Sequence, residues 1–585
     1  MKIRRNICIL ICIFLFSNLF SEKYSRHQLI PAGHWLYDAY YVLANQQKKV
    51  SLLDNAPISL AEFDLFFSKI DCDLLDNDSK SIYKKIQDYL TEEKYNLDFA
   101  PVKIFFNLNL NPILMYKSND EIDWNFATDY SGPNNNVDAG YGTSSGYSSD
   151  IFTKPFLSVP IRITFPEHLI IELEPFLGKS FWAMSDNDNY SNIPFSGTDL
   201  DFLWPRNAYL STGLVFDNWG INLHIAKEGL QIGRTQTGSI IYNSTFETDA
   251  YIQLSLYSNK FKYNLDTVQI NNNRNLYLHH LTCNLFDNLK FSIIEGTFVN
   301  APLEIRFLNP LMIMHSYAAW EQYLSSTEKK YYGEAHVCQY FAFNFDFIPI
   351  KNLRLYILFA MNEFQIPYEL GSDSANALPN SLGGQLGLEY TLPFKEGWFF
   401  GALEGVYTSP YFYLKQGADW SLYSKRYNMQ SYGSVPIYSW IGSPFGPDSI
   451  VGQFKFGYKK LGKWSAEVDY LFVAHGINSF GLFDKKIIVK DEYGNDIEID
   501  AYYPSVLLKA GKITAEEAKE MARSMYLKGN VQYTNELSFK GSYTINNHFS
   551  FDASFTYTFI FNNHNISGDF AQGIQMCFGA KYMLF

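Results

Sequence analysis

Three groups of residues have types and spacings that could support catalysis or metal binding. Residues 142–146 read Gly-Thr-Ser-Ser-Gly and match the nucleophile elbow of α/β-hydrolases, in which a strand leads through an exposed serine into a helix. Here the pattern lies in a stretch rich in Gly, Ser, Asn and Tyr, which predicts neither element. The pattern therefore does not indicate a hydrolase.

The other two groups are a histidine pair and a carboxylate pair. His279 and His280 fall in a predicted strand, where successive side chains point to opposite faces, so they cannot ligate one metal ion together. Glu172 and Glu174 share a face, but paired carboxylates are also expected on a polar wall that has no catalytic role. The sequence thus favours a protein that is not an enzyme and that uses no metal or cofactor.

The first residues have the three-part layout of a secretory signal peptide. Lys2, Arg4 and Arg5 precede an apolar run at 7–16, and small and polar residues follow it. We expect cleavage near Ser21, so that residues 1–21 are removed; the alternative is an uncleaved interfacial helix. No later apolar run is long enough to cross a bilayer as a helix.

Residues 22–98 are predicted to form a small helical domain of three helices. Ser59 and Glu62 form a Ser-x-x-Glu capping box, after which apolar residues recur at helical spacing from Phe63 to Ile70. A second helical pattern follows Asp78, and the first helix begins near Trp35. The apolar faces of such short helices must be buried against each other or against a neighbour.

From Pro101 onward the apolar periodicity changes from helical to two, which predicts β-strands over most of residues 101–585. The clearest run begins at Phe549 and ends at Phe561. Several runs reach about nine residues or more, the length of a tilted strand that spans a bilayer, whereas soluble strands usually have about five or six. Alternation alone would also suit a soluble sandwich with one wet face, so strand length and connections must decide.

Short and long connections alternate along the chain, as they do in outer-membrane barrels with tight periplasmic turns and long outer loops. The short turns include 217–220, 258–260, 287–288, 349–350, 393–395, 459–462 and 545–547, and the long loops include 112–154, 178–207, 228–248, 298–337, 362–381, 408–449 and 474–529. In lipid every backbone polar group must be paired, which an open sheet cannot achieve. The sequence therefore predicts an all-β membrane protein, a closed antiparallel transmembrane barrel of about 18 strands.

An even strand count places the helical domain and Phe585 on the same, periplasmic side, with the long loops at the cell surface. A terminal aromatic residue is what the barrel-assembly machinery commonly recognises in proteins that look like this one. The register of Phe585 departs from the usual pattern, because Leu584 and Tyr582 fall on the opposite face. The barrel prediction therefore rests on the connections.

Charge and cysteine content exclude two further classes of protein. The formal net charge is −13 and the basic residues form no stripe, which argues against nucleic-acid binding. Cys8 and Cys12 lie in the predicted signal peptide, and the other four of the six cysteines are widely scattered. The sequence indicates neither a disulfide framework nor a metal site.

Several motifs resemble those of the Wzi-type capsule-assembly outer-membrane proteins. They are Gly233-Arg234 followed by Thr237-Gly238-Ser239, Arg306-Phe307-Leu308-Asn309-Pro310, Gly442-Ser443-Pro444-Phe445-Gly446-Pro447-Asp448, and the N-terminal His34-Trp35-x-Tyr37-Asp38 and Pro57-Ile58-Ser59-x-x-Glu62. The resemblance implies an eighteen-stranded barrel that is plugged by its own loops and has a periplasmic helical bundle. It also implies a non-enzymatic association with surface polysaccharide that helps to retain or organise capsule.

Candidate polysaccharide contacts combine aromatic faces and polar groups. The 408–449 loop supplies Trp420, Tyr423 and Trp440, for which packing within the loop is the alternative. Arg234, Arg306 and Asp448 are the polar candidates, and a purely structural role is their alternative. Expected partners are outer-membrane lipid, surface polysaccharide and, during biogenesis, the barrel-assembly machinery.

Two interpretations stay open at this stage. A general diffusion porin or a substrate-selective channel is the alternative function, because a lumen lined by Asn, Ser, Thr and Glu suits either. The segment 474–529 contains a helix with the capping box Thr514-x-x-Glu517. That segment is either a surface decoration or a lid on the outer face.

Overall fold

The computed structural model describes residues 26–92, 95–122, 155–165, 168–179, 191–195, 200–201, 205–243, 249–314, 325–333, 337–365, 378–430 and 433–584. The predicted signal peptide, the 142–146 pattern and Phe585 lie outside these ranges. Within them, no helix combines the length and the apolar character that a membrane-crossing helix requires.

Three α-helices, Trp35–Gln46, Leu60–Phe67 and Asn77–Thr91, form the N-terminal helical unit. Leu36, Phe63 and Ile82 are fully buried in the core that the helices share. The Ser59 hydroxyl accepts a hydrogen bond from the Glu62 backbone N–H at 3.2 Å, which confirms Ser59 as an N-cap. The reciprocal half of the predicted capping box is wrong, because the Glu62 carboxylate pairs instead with Lys262, 2.5 Å away.

The rest of the chain is dominated by one antiparallel sheet whose hydrogen-bonded neighbours run round into a closed barrel. Its segments are Leu97–Phe99, Val102–Phe106, Asn109–Leu110, Ile113–Lys117, Leu157–Ser158, Ile161–Phe165, Leu169–Leu173, Phe176–Lys179, Leu200–Asp201, Ala208–Val215, Trp219–Glu228, Asp249–Ser258, Phe261–Asn271, Arg274–Phe286, Leu289–Asn300, Val337–Phe347, Leu353–Glu363, Ser381–Phe394, Gly397–Thr408, Ser449–Lys460, Trp464–His475, Gln532–Thr544, Phe549–Phe561 and Phe570–Met583. The predicted strand from Phe549 to Phe561 is confirmed with the same bounds.

The sheet closes where the segments after Pro101 meet Phe570–Met583. Ile113–Lys117 pairs antiparallel with this strand, Gly579 lying opposite Ile113, and Tyr582 pairs with Leu110. On their other side the same early segments pair with Leu157–Ser158 and Ile161–Phe165. These pairings join the last strand of the sheet to its first segments.

The helical unit lies at the end of the barrel that carries the short turns. The Val50 N–H donates to the Asp287 carbonyl at 2.7 Å, and the Asn352 N–H donates to the Asn45 carbonyl at 3.0 Å. Lys69 donates its ammonium to the carbonyl of Asn259 at 2.8 Å. Asp287, Asn352 and Asn259 all belong to connections that the alternation pattern predicted to be short.

The opposite end carries the long connections and their own secondary structure. These elements are the helices Ser326–Tyr332, Pro504–Lys509 and Ala515–Arg523, the paired strands Tyr423–Gln430 and Gly433–Trp440, and the paired strands Lys486–Lys490 and Asp496–Asp500. The predicted capping box of Thr514 and Glu517 is confirmed in both directions. Short 3-10 helices occur at Cys72–Leu74, Asp120–Ile122, Ile305–Leu308, Ala418–Trp420, Phe480–Asp484 and Asn563–Asn565.

Candidate functional site

The barrel wall has an apolar outer face and a largely polar lumen. On Trp219–Glu228, Leu223 and Ile225 face outward and are 38% and 51% exposed, whereas Asn222 and His224 face inward and are buried. Long wall strands such as this one separate two environments because successive side chains alternate between the two faces of a strand. The candidate functional site is therefore the lumen and the segments that enter it.

Two segments from different parts of the chain pair inside the lumen. Gln231–Ile232 pairs with Tyr242–Asn243 from the same loop and with Asn55–Ala56 from the helical unit. The Asn55 amide lies 2.7 Å from the ring nitrogen Nδ1 of His280, on the inward face of its strand. His279 points to the other face, so the prediction that the two histidines diverge is confirmed.

Buried charges fix the segment around Asp54 to the barrel wall. The Lys290 ammonium is fully buried and lies 2.9 Å from Asp54 and 3.2 Å from Asp346. Asn344 donates its amide to Asp54 at 2.7 Å. Ionised groups are rarely buried unless they are paired in this way, because removal from water is costly.

The same charged network continues to the loop at 229–243. Asp346 accepts from Arg354 at 2.7 Å, and Arg354 also lies 3.1 Å from Glu389. Glu389 pairs with Arg234 at 2.5 Å, and Arg234 reaches Asp38 of the first helix at 3.4 Å. The sequence singled out Arg234, and the structure places it where loop, wall and helical unit meet.

Glu404 on the barrel wall holds the next turn of this loop. Its carboxylate accepts from the backbone N–H groups of Gln236 and Thr237 at 2.8 and 2.9 Å, and from the Tyr356 hydroxyl. The Gln385 amide donates to the same carboxylate at 3.0 Å. Glu404 therefore ties this loop to two neighbouring strands of the wall, which carry Tyr356 and Gln385.

Aromatic rings fill the lumen toward the loop end. The Trp440 ring stacks on Phe480 with centroids 4.1 Å apart, and Tyr423 lies 6.3 Å from Trp440. Arg274 packs over the face of Tyr423 at 4.3 Å. The Tyr413 hydroxyl donates to the Ile240 carbonyl at 2.7 Å, which joins this aromatic group to the loop at 229–243.

The three aromatic residues predicted to contact sugar are buried in this packing. Trp420, Tyr423 and Trp440 are 5%, 5% and 2% exposed, and Trp420 packs on Tyr332. A buried ring cannot stack on a polymer outside the barrel. The structure therefore favours the alternative of packing between loops, and a glycan contact by these rings stays a prediction.

Asp448 joins two connections at the loop end, 409–448 and 476–531. It adopts a positive φ of 58°, and its carboxylate accepts from the N–H groups of Asn478 and Lys528 at 3.1 and 3.0 Å. Burial raises the pKa of Asp448 to about 6 although these donors act in the opposite direction. This geometry favours the structural alternative for Asp448.

Arg306 lies apart from the other predicted site residues. It belongs to the 3-10 helix Ile305–Leu308, pairs with Glu304 at 2.5 Å, and packs over Phe307. Phe307 in turn stacks on Tyr277, whose side chain lies on the outer face of the barrel. The structure therefore does not bring Arg306 together with Arg234 or Asp448.

The lumen beside the closing seam is not filled and forms a cavity of about 590 Å³. Its polar lining consists of Asn109, Asn111, Ser158, Glu174, Arg206, Asn207, Ser550, Asp552 and Lys581, with Pro31 of the N-terminal segment at its edge. The Asn207 amide donates to Glu174 at 2.7 Å, and its buried Oδ1 has no hydrogen-bond partner within the described part of the chain. The volume lies in the range of about 300–1,000 Å³ that is typical of ligand sites.

Sequence reasoning missed most residues of this cavity and of the charged network. Glu174 was noted only as half of a carboxylate pair, and its neighbour Glu172 pairs with Arg162 at 2.6 Å. The alternation pattern did contain a signal for the charged network. Lys290, Asp346 and Arg354 occupy the strand positions between the apolar residues, which must face the lumen. Within the described ranges, no cluster of three or more His, Cys, Asp or Glu side chains could hold a metal ion.

Comparison with known proteins found similarity in structure only. No family model matches the chain, and no curated protein matches it. One similar solved structure is Wzi of Escherichia coli, described as an outer-membrane protein involved in group 1 capsule assembly and as a carbohydrate-binding β-barrel. It has 11% identity and a TM-score of 0.51, and the match covers 94% of this chain and 98% of Wzi.

Two further solved structures match over less of the chain. OprD of Pseudomonas aeruginosa has 8% identity and a TM-score of 0.37, over 84% of this chain and 97% of OprD. The outer-membrane channel DcaP of Acinetobacter baumannii has 8% identity and a TM-score of 0.31, over 84% of this chain and 100% of DcaP. At 11% identity the similarity to Wzi concerns the fold alone, and this chain has the fold of an outer-membrane β-barrel.

Proposed function

We propose that this protein is a plugged outer-membrane barrel of eighteen strands, exported by residues 1–21, with the helical domain at 22–98 in the periplasm. Grouping the short segments supports the strand count. Residues 102–117 form one interrupted strand. Residues 157–165, residues 169–179, and residues 200–201 together with 208–215 form three more, and the fourteen strands from Trp219 onward complete the set. The long loops then lie at the cell surface.

We further propose that the barrel binds surface polysaccharide without catalysing a reaction. The observation that carries the proposal is that, in the described part of the chain, the loop at 229–243 and the segment around Asp54 occupy the lumen and are bonded to its wall, with a polar cavity beside the closing seam. A filled lumen suits a binding protein better than general diffusion. The similarity to a barrel described as carbohydrate binding agrees with this proposal.

The cavity chemistry suits a hydroxyl-rich ligand. Sugar hydroxyls donate and accept at once, and the lining offers amides at Asn111 and Asn207, hydroxyls at Ser158 and Ser550, and both signs of charge. The unpartnered Oδ1 of Asn207 is an acceptor for which a bound hydroxyl would supply the donor. We expect a short, uncharged or zwitterionic segment of polysaccharide to bind here.

The test is co-sedimentation and titration of the refolded protein with polysaccharide from the surface of the source cell and with its short fragments. We expect Lys581→Gln, in the cavity, to weaken fragment binding about tenfold, because a neutral amide on a shorter side chain replaces a charged donor. Lys490→Gln is the matched control, because Lys490 is 64% exposed on an outer hairpin. Equal affinity of the two variants for the fragments would show that the cavity is not the binding site. If the wild-type protein binds no polysaccharide, the proposed function is wrong.

A substrate-selective channel is the second candidate function, and the same cavity favours it. The polar cavity along the seam lies between the helical unit and the loops. Movement of the helical unit or of a loop would open a path for small solutes through it. Liposome swelling with sugars of increasing size separates the two functions. Swelling that depends on solute size would favour the channel, whereas binding without swelling would favour the plugged binding protein.

A further inference from the structure

Residues 301–314, here called the outer flap, lie on the outside of the barrel instead of entering the lumen. The flap follows Leu289–Asn300, and Phe307 stacks on Tyr277 with centroids 4.8 Å apart. Tyr277 shares its strand face with Leu281, which is 37% exposed, whereas the intervening His280 contacts Asn55 in the lumen. The face that carries Tyr277 is therefore the outer one.

Specific contacts hold the outer flap against this wall. The Glu304 N–H donates to the Tyr277 hydroxyl at 2.9 Å, and the Tyr263 hydroxyl donates to the Pro310 carbonyl at 3.2 Å. Phe307 and Met314 are fully buried against Tyr277, Val299 and Val337. The strand Phe261–Asn271 begins at the short turn 258–260, and Tyr263 is only two residues from that start. The flap begins at the opposite, loop end of the barrel, so it crosses much of the height of the wall.

The outer flap covers polar groups that interrupt the apolar outer face. Thr267, His279 and Thr297 point outward but are only 5%, 9% and 0% exposed. The strand register also places Glu295 directly opposite His279. Polar side chains in contact with hydrocarbon are costly, so a bare wall here would be poorly matched to lipid.

The other side of the outer flap is strongly apolar. Leu303, Ile305, Leu311 and Ile313 are 54%, 80%, 90% and 66% exposed. The charges of Glu304 and Arg306 are paired with each other. These aliphatic side chains extend the belt formed by Leu281, Ile293 and Phe345 on the neighbouring wall.

We propose that the outer flap is a lipid-facing cover, which shields the polar strip around His279 and presents its own aliphatic side chains to the acyl chains of membrane lipids. This inference rests on the proposed membrane location. Irregular backbone is tolerated at membrane depth only where its polar groups are satisfied within the protein. Pro302 and Pro310 have no N–H to satisfy, and Tyr277 and Tyr263 bond the groups at Glu304 and Pro310.

Spin-label accessibility in lipid vesicles tests the proposal. The nitroxide is placed by Leu311→Cys in a background where the native cysteines are replaced by Ala, and collision with oxygen is compared with collision with a neutral nickel chelate. Oxygen concentrates in hydrocarbon and the chelate in water. Leu403→Cys reports the open wall, where Leu403 is 57% exposed, and Tyr493→Cys reports an outer hairpin, where Tyr493 is 82% exposed.

We expect the label at position 311 to behave like that at 403, with oxygen collisions dominant, and unlike that at 493. A chelate-dominated signal at 311 with an oxygen-dominated signal at 403 would overturn the flap proposal and leave the barrel in its membrane. A chelate-dominated signal at 403 would overturn the membrane location itself. Spin–spin broadening at 311, abolished by dilution with unlabelled protein, would show a second copy on the flap and would also overturn the proposal.

Discussion

Substitution of Lys290 by Met is the perturbation that best probes how the segment around Asp54 is held against the barrel wall. The Lys290 ammonium is 0% exposed and lies between Asp54 of the N-terminal segment and Asp346 of the wall, whose side chains are 1% and 4% exposed. Methionine approximates the length of lysine and removes its charge. The variant leaves two buried carboxylates without their shared cation.

Removal of one partner from a buried ion pair costs about 3–5 kcal/mol. In the variant, Arg354 still pairs with Asp346, and Asp54 still accepts from the Asn344 amide. The lost stability therefore falls mainly on the attachment of the N-terminal segment to the wall. We expect urea to release the helical unit at a midpoint lower by about 1–5 M, for a slope of about 1–3 kcal/mol per molar. The barrel itself should stay folded at that urea concentration.

The assay is protease cleavage between residues 26 and 92 during a urea titration, with heat-modifiable gel mobility as the measure of the barrel. Lys490→Met is the matched control, because Lys490 and Asp496 are 64% and 63% exposed and such a pair contributes about 0–1 kcal/mol. The additional change Asp54→Asn should recover part of the loss. If the urea midpoint of Lys290→Met equals that of the control, the buried charged network does not hold the N-terminal segment in place.

Three further outcomes follow from the same contacts. Burial alone would raise the pKa of Asp54, but the Lys290 ammonium outweighs burial and the pKa is lowered to about 2. The stabilisation that ionised Asp54 contributes is therefore complete above its ordinary pKa of 3.8 and is lost as the pH falls toward 2. Acid should then expose the helical unit to pepsin. Trp440→Ala should cost the outer loops about 3–5 kcal/mol, because the ring is 2% exposed, and should speed proteolysis of the 409–448 loop while Trp219→Ala, at an exposed wall position, does not. Thr514→Ala should cost about 1 kcal/mol in the helix Ala515–Arg523, seen as faster hydrogen exchange there, and Thr514→Ser should restore the wild-type rate.

Local patterns in the sequence predicted the architecture because they act over short distances. Alternation sets the two faces of each strand, so Phe549–Phe561 could be bounded from residues alone. Ser59 could be predicted as a helix N-cap because its hydroxyl bonds a backbone N–H only three residues further along the chain. Glu62 was mispredicted because its partner, Lys262, is 200 residues away and meets it only when the barrel forms.

The interior could be predicted only in part for the same reason. Lys290 and Asp346 are direct cross-strand partners, and this register is set by the barrel, not by either segment alone. Arg234 was identified as central, but its partners Glu389 and Asp38 could not be named from the sequence. The outer flap was assigned to a long surface loop, since nothing local distinguishes a loop that folds over the wall from one that projects.

Planar-bilayer conductance of the refolded wild-type protein is the most direct test of the central claim, which is that the protein's own segments close the lumen. The charged network around Lys290 and the stacked rings around Trp440 predict no steady open-channel current under conditions where a general diffusion porin conducts. They also predict that current appears when the N-terminal segment is released by Lys290→Met in mild urea. Large, steady open-channel steps from the untreated wild-type protein would contradict this account.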